Sequence, residues 1–254
     1  MNISLEAGEE ILSIYNQLNV GLEYKLDGSP LTMADQRSNT IIISQLKKYF
    51  PSIPIISEEN KSIAFELRQN WDRFFLIDPL DGTKEFLRKN GEFTVNIAYL
   101  ENGIPLRGVV FAPCLNRMYC GSPEHGFQIF ELNQFREFEE HQLNESEENT
   151  RSFRIVASRS HNNEKTEAFI SQMRQEYGDV EIVSMGSSLK ICLVAEGKAE
   201  VYPRLGPTME WDTAAAHAIL NYANCEIINF ETQLPLVYNK VDLINPHFLV
   251  KRKS

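Results

Sequence analysis

The sequence has little of what would place it in a membrane or on a nucleic-acid polymer. Its apolar runs are short, Phe74–Ile77 and Ile41–Ile43 among them, far below the ~18 consecutive apolar residues of a membrane span. A basic excess is missing too. The 25 Lys and Arg stand against 35 Asp and Glu, a net charge of -10, so the electrostatic footprint of a polymer binder is absent. The first residues, Met1 to Glu6, have neither a basic stretch nor an apolar core and do not read as a signal peptide. Cysteine is scarce: Cys114, Cys120, Cys192 and Cys225 show no CxxC spacing and no partnering His pattern. That spacing argues against a disulfide framework or a zinc site and fits reduced thiols in a cytoplasm.

What is present fits a folded enzyme-sized chain. With 254 residues, 43% of them hydrophobic, it can bury one large core or two smaller ones of about 100–150 residues. Apolar spacing predicts a helix over 5–18 and another from Thr32 or Asp35 to Tyr49, then a short strand over 53–56 that runs into Ser57-Glu58-Glu59. A buried strand at 74–77 leads into Asp78, and a brief helix follows over 83–88. Strands at 93–100, 106–112 and 117–121, with turns at Asn102-Gly103 and near Pro113, predict an antiparallel meander. A stretch dense in Glu, Asn and Ser, 139–150, places a boundary near 150. Beyond it, strand and helix alternate: 153–157, 164–175, 180–184, 187–196 (closed by Gly197), 199–202, 213–222 and 225–229. The expectation is an N-terminal α+β domain, 1–150, and a C-terminal α/β domain, 151–254.

The most informative stretch is Asp78-Pro79-Leu80-Asp81-Gly82-Thr83. Two carboxylates at the end of a buried strand are costly unless something positive pairs with them. The cations within the segment, Lys84, Arg88 and Lys89, all lie beyond the turn. A hard divalent cation such as Mg²⁺, which takes carboxylate oxygens and keeps waters and phosphate oxygens, answers that need. Asp35, Glu58-Glu59 and Asp212 recur beside other predicted strand or helix ends, and two-metal phosphoryl hydrolysis uses such a set. Gly82 permits a tight turn that aims the following N–H groups at a phosphate. Singly, each acid also reads as a helix cap, a turn residue or solvated surface.

Ser57-Glu58-Glu59, Asp78-Pro79-Leu80-Asp81-Gly82-Thr83 and Trp211-Asp212-Thr213-Ala214-Ala215 together resemble the motif set of the inositol monophosphatase-like, lithium-sensitive phosphatases. Lys84-Glu85-Phe86, the run Asn90 to Ala98, Ser158-Arg159-Ser160-His161, Gly186-Ser187-Ser188-Leu189-Lys190 and Tyr202-Pro203-Arg204 resemble the CysQ-type 3′(2′),5′-bisphosphate nucleotidases within them. The likeness runs from about residue 25 to Asn245-Pro246 near the end. It implies a layered α-β-α-β-α sandwich of α/β class, with the site between the two halves.

The resemblance also implies roles. Glu58, Asp78, the Leu80 carbonyl, Asp81 and Asp212 would hold two or three Mg²⁺ ions. Asp35 and Thr83 would orient and deprotonate the attacking water, with Glu58 assisting through a further ion. Gly82 and Thr83 would grip the scissile phosphate, beside Asp81 and Asp212. His161, Ser187, Lys190 and Arg204 would hold the rest of a small nucleotide. The implied reaction converts adenosine 3′,5′-bisphosphate into AMP and phosphate, with 3′-phosphoadenylyl sulfate as a second substrate and a link to sulfate assimilation. An inositol or sugar phosphatase on the same fold and a non-catalytic nucleotide sensor are the alternatives. The expected protein is cytoplasmic, either free or peripheral on the inner membrane's cytoplasmic face, and a monomer or homodimer. Glu210 stands where that subgroup carries a less acidic segment, a departure that could alter the nucleotide pocket and whose role the sequence leaves open.

Overall fold

The protein is described from a computed structural model, which covers residues 1–17, 21–25, 30–60, 63–133, 137–141, 152–157 and 163–253. In chain order the elements are α1 (Asn2–Tyr15), β1 (Glu23–Tyr24), β2 (Pro30–Leu31), α2 (Met33–Tyr49), β3 (Ile55–Ser57), α3 (Phe65–Arg68), β4 (Arg73–Asp81), α4 (Thr83–Leu87), β5 (Thr94–Glu101), β6 (Ile104–Ala112), β7 (Arg117–Ser122), β8 (Gly126–Leu132) and β9 (Phe138–Glu140). The second half adds β10 (Phe153–Ala157), α5 (Glu164–Tyr177), β11 (Val180–Ser184), α6 (Leu189–Ala195), β12 (Val201–Arg204), α7 (Glu210–Leu220), β13 (Cys225–Asn229) and β14 (Phe248–Arg252).

A seven-stranded sheet runs in the order β3-β4-β5-β6-β7-β8-β9. It is antiparallel except where β3 lies parallel to β4. Strand β4 is apolar on both faces because both are covered. Phe75 and Ile77 pack with Ala7, Ile11 and Ile14 of α1 and Ile42 and Leu46 of α2. Phe74 and Leu76 face the other way, toward α6 and α7. Burying one such side chain contributes about 1.5–3 kcal/mol. A five-stranded sheet, β11-β10-β12-β14-β13, lies beyond α6 and α7 and shares their core through Val156, Tyr202, Phe248 and Val250. Helix α5 covers its outer face, with Ile170 against Ile155, Val180 and Val201. The layers are thus α-β-α-β-α, as the resemblance implied.

Helix α7 is laid flat on the large sheet by small residues. A Cβ at Gly108 would sit 2.0 Å from the Ala215 carbonyl oxygen, and one at Gly121 would sit 2.6 Å from the Ile219 Cα. The alanines of α7 complete this close contact: Ala214, Ala215 and Ala218 are buried. The core therefore runs continuously from the N-terminal half into the C-terminal half.

Several expected boundaries move. The first helix starts at Asn2 instead of 5, β12 starts at Val201 instead of 199, and β4 extends through Asp78 to Asp81 with a register shift between them. Helix α7 begins at Glu210, before the expected 213, which puts Asp212 in its first turn. Helix α3 and strands β8, β9 and β14 were not expected. The boundary near 150 falls within 142–151, outside the described residues.

Candidate functional site: an acid wall and a basic wall

The site is assembled around the C-terminal end of β4. Asp78 is 2% exposed, and its Oδ1 accepts a hydrogen bond from the Leu80 N–H at 3.0 Å. That bond closes the Pro79 turn. Ser38 of α2 donates to the Pro79 carbonyl at 2.7 Å, pinning helix and turn together. Gly82 follows at φ 95°, a left-handed conformation that glycine adopts without a Cβ penalty. Glu58 arrives from the parallel neighbour β3, and its N–H donates to the Ile77 carbonyl at 3.3 Å.

Asp35 sits in the first turn of α2 and does two jobs. Its Oδ2 accepts from the Thr32 N–H at 2.7 Å and the Thr32 hydroxyl at 2.6 Å, one half of a capping box. Its Oδ1 accepts from the Thr83 hydroxyl at 3.1 Å. Asp212 repeats the pattern on α7: its Oδ2 accepts from the Met209 N–H at 2.9 Å. The cap reading and the site reading are thus compatible in both acids, since only one carboxylate oxygen is used for the cap.

Charge is poorly balanced here. Burial and the negative charges of Glu58, Asp81 and Asp212 push the Asp78 carboxyl well above its ordinary range. Burial and the Asp81 charge do the same to Asp212. Asp81 is also raised by burial, against the pull of Lys190, the Ser188 N–H and Asn96. Burial likewise raises Asp35. Hard oxygen donors crowded at this cost are the chemistry a divalent cation relieves, so the residues fit Mg²⁺. Among the described residues no three acidic, histidine or cysteine side chains already converge as a formed metal cage. Each acid is turned onto a protein donor instead. Lys25, just past β1, bonds Glu58 and Glu59, each at 2.6 Å; burial nonetheless lifts Glu59 to about 6.

These groups open onto a cleft of about 490 Å³ whose lining includes an acid wall, Glu58, Asp81, Gly82, Thr83 and Asp212, and, adjoining it, a basic wall, Ser187, Lys190 and Arg204. Lys190 is buried in the first turn of α6, its Nζ 5.8 Å from the centroid of the Tyr202 ring. Burial lowers it to about 8, with Asp81 opposing the shift. Arg204 ends β12 and donates through Nη2 to the Pro207 carbonyl at 3.0 Å. Asp35, Asp78 and Leu80 stand behind the cleft. His161 lies outside the described residues.

One expectation is corrected. Glu210 does not shape the cleft. It is fully buried and accepts from the Asn239 N–H at 2.7 Å and the Lys240 N–H at 3.1 Å, with the Lys240 ammonium as counter-ion. It points away because it lies two positions before Asp212 on the helix, on another face. Reasoning from sequence gave Lys25 no role and placed Asn96 and Ser188 only within matching motifs, without a contact. Asn96 carried a signal, a polar residue inside the strand Thr94-Val95-Asn96-Ile97.

Comparison with known proteins shows the family and the fold. The model of the inositol monophosphatase family matches residues 1–253. The chain is 39% identical over 254 residues to the 3′(2′),5′-bisphosphate nucleotidase CysQ of Escherichia coli strain K12, covering 98% of this chain and 96% of that one. The CysQ of Salmonella typhimurium is 40% identical with the same coverage. The crystal structure of CysQ from Bacteroides thetaiotaomicron superposes with a TM-score of 0.86 at 42% identity, over 99% of this chain and 95% of that one.

Proposed function

This chain belongs to the inositol monophosphatase family, and from that premise we propose that it is a Mg²⁺-dependent 3′(2′),5′-bisphosphate nucleotidase that converts adenosine 3′,5′-bisphosphate into AMP and phosphate. The observation that carries this reading is the meeting of two unlike walls in one cleft: the acids Glu58, Asp81 and Asp212 beside the cations Lys190 and Arg204. A substrate that loses one phosphate and keeps another needs both. The full-length identity to CysQ nucleotidases points to the same substrate.

In this reading residues 1–150 supply most of the acid wall, and 151–254 supply Asp212 and the cations. Glu58, Asp78, the Leu80 carbonyl, Asp81 and Asp212 hold two or three ions. When bound, Mg²⁺ supplies Lewis-acid stabilisation of the phosphoryl oxygens and acidifies water. The Gly82 and Thr83 N–H groups fix the scissile phosphate. Thr83, held by Asp35, orients the attacking water, and Asp35 receives its proton. The burial that raises Asp35 moves it toward the range of a working general base. Lys190 and Arg204 take the 5′-phosphate as charge-assisted donors, with Ser187 and His161 beside them. 3′-Phosphoadenylyl sulfate, with the same 3′-phosphate, is a second substrate, which places the enzyme beside sulfate assimilation.

The test is phosphate release from adenosine 3′,5′-bisphosphate beside inositol 1-phosphate, with Mg²⁺ and with chelator. Release from the nucleotide that chelator abolishes is the expected result. Release from inositol 1-phosphate alone would keep the acid wall and discard the nucleotide assignment. No release from either would overturn the whole reading.

A further inference from the structure

Both walls of the cleft meet at one oxygen. Asp81 Oδ2 accepts from the Ser188 N–H at 2.5 Å and from Asn96 Nδ2 at 3.3 Å. The other end of the Asn96 amide, Oδ1, accepts from the Ser188 hydroxyl at 2.9 Å. Thr94 completes the ring with its hydroxyl 2.8 Å from that of Ser188. Asn96, Thr94 and Ser188 are all buried. Ser188 is the N-cap residue of α6, the helix that carries Lys190, and Asn96 pairs across the sheet with Asp78. The amide therefore bonds at one end to an acid proposed to bind metal and at the other to the start of the helix proposed to bind phosphate.

We propose that Asn96 is a positioning residue that holds Asp81 and the start of α6 as one unit, so that cation binding and binding of the second phosphate are linked through it. The inference rests on the nucleotidase reading. Physically, the amide commits Asp81 Oδ2 to protein donors and leaves Oδ1 for the cation. It also fixes the height of α6 against β5, and with it the reach of Lys190. Donor and acceptor ends cannot be exchanged, because Asp81 is an acceptor. Partners of this kind typically change metal affinity or activity 10–100-fold when lost. A link of this type is reciprocal in binding free energy.

The experiment measures, for wild type, Asn96→Leu and Ser188→Ala, the half-saturating Mg²⁺ concentration for phosphate release at low and at saturating adenosine 3′,5′-bisphosphate, and, without turnover, the Mg²⁺ concentration that gives half of the rise in melting temperature with and without AMP. Asn96→Leu keeps the forked shape, with a larger volume, and removes the amide. Ser188→Ala removes only the hydroxyl and keeps the N–H bond to Asp81. In wild type, saturating nucleotide is expected to lower the Mg²⁺ requirement several-fold. In Asn96→Leu the requirement rises about 10–100-fold and depends less on nucleotide, keeping only the part that direct contact between ion and scissile phosphate supplies. Ser188→Ala shows a smaller rise with the same weakening of the dependence. A merely structural residue would lower melting temperature or active fraction without altering the Mg²⁺ dependence. The proposal is overturned if a folded Asn96→Leu stays within twofold of wild type in Mg²⁺ requirement and in its dependence on nucleotide. If that variant does not fold, the same result for Ser188→Ala overturns it. A wild type that hydrolyses no nucleotide is a separate result: it removes the nucleotidase reading before any variant is compared.

Discussion

The two walls of the cleft are built on opposite principles. The acid wall uses short side chains on rigid backbone, Asp78 and Asp81 at the end of β4 and Asp212 in the first turn of α7, fixed by N–H donors from Leu80, Ser188 and Met209. The basic wall uses long side chains, Lys190 on α6 and Arg204 on β12. The acids are crowded, Asp78 buried and Asp81 and Asp212 half-buried, and all are pushed toward their neutral forms. Lys190 is lowered only to about 8 by burial, so it is still mostly charged at neutral pH. The difference teaches where each part of the task sits. The acid wall stores electrostatic cost that a cation relieves, which suits chemistry. The basic wall keeps its charge at neutral pH despite the burial of Lys190, which suits recognition.

The largest expected effect comes from breaking the acid wall. Asp81→Asn and Asp212→Asn should each lower kcat about a thousandfold or more, by the scale of removing one transition-state electrostatic contact. Melting temperature in chelator should stay equal to wild type or rise, because each substitution removes a buried charge that its neighbours disfavour. Steady-state rates and a thermal melt in chelator check both halves. Next comes the basic wall. Lys190→Ala and Arg204→Ala should raise KM for adenosine 3′,5′-bisphosphate about 10–100-fold, the scale of a lost charge-assisted bond, with a smaller change in kcat.

A third variant tests how the walls are held together. Gly108→Ala puts a methyl group against the Ala215 carbonyl and should cost about 1–3 kcal/mol as overpacking, read by urea denaturation. Because α7 carries Asp212, activity should fall with it. The fourth is a pH effect away from the cleft. His217 is buried in α7, its Nδ1 3.0 Å from the Tyr238 hydroxyl, and burial lowers it to about 3 from 6.5. Its folded pKa lies below its unfolded one, so its full contribution is present above pH 6.5. That contribution is lost as pH falls toward 3, because the unfolded chain binds the proton first. Between pH 7 and 5 the loss is about 2 kcal/mol. His217→Gln should flatten that part of the stability profile, measured by denaturation at each pH.

Much of the acid wall was legible because an apolar run ending in Asp78-Pro79-Leu80-Asp81-Gly82 is a local pattern. The layered fold followed from strand–helix alternation and from the resemblance. Asp212 was harder: a first-turn acid looks the same whether it caps a helix or serves a site, and here one of its oxygens caps. Lys25 was not legible, because its pairing with Glu58 and Glu59 spans more than thirty residues. The ring of Asn96, Ser188 and Asp81 spans more than ninety between Asn96 and Ser188, and only the folded chain closes it. Strand β14 escaped because its five residues end in Lys251-Arg252. The place of that strand between β12 and β13 in the small sheet is a matter of topology. Gly108 and Gly121 were a missed local signal, since glycine inside a strand marks close approach of another backbone.

The most direct test of the two-wall account compares kcat/KM of the wild-type protein for adenosine 3′,5′-bisphosphate and for adenosine 3′-monophosphate, in Mg²⁺. Both present the phosphate to be removed, and only the first carries the one assigned to Lys190 and Arg204. The account expects the bisphosphate to be favoured by about tenfold or more, with AMP as its product. Equal values for the two substrates would contradict it.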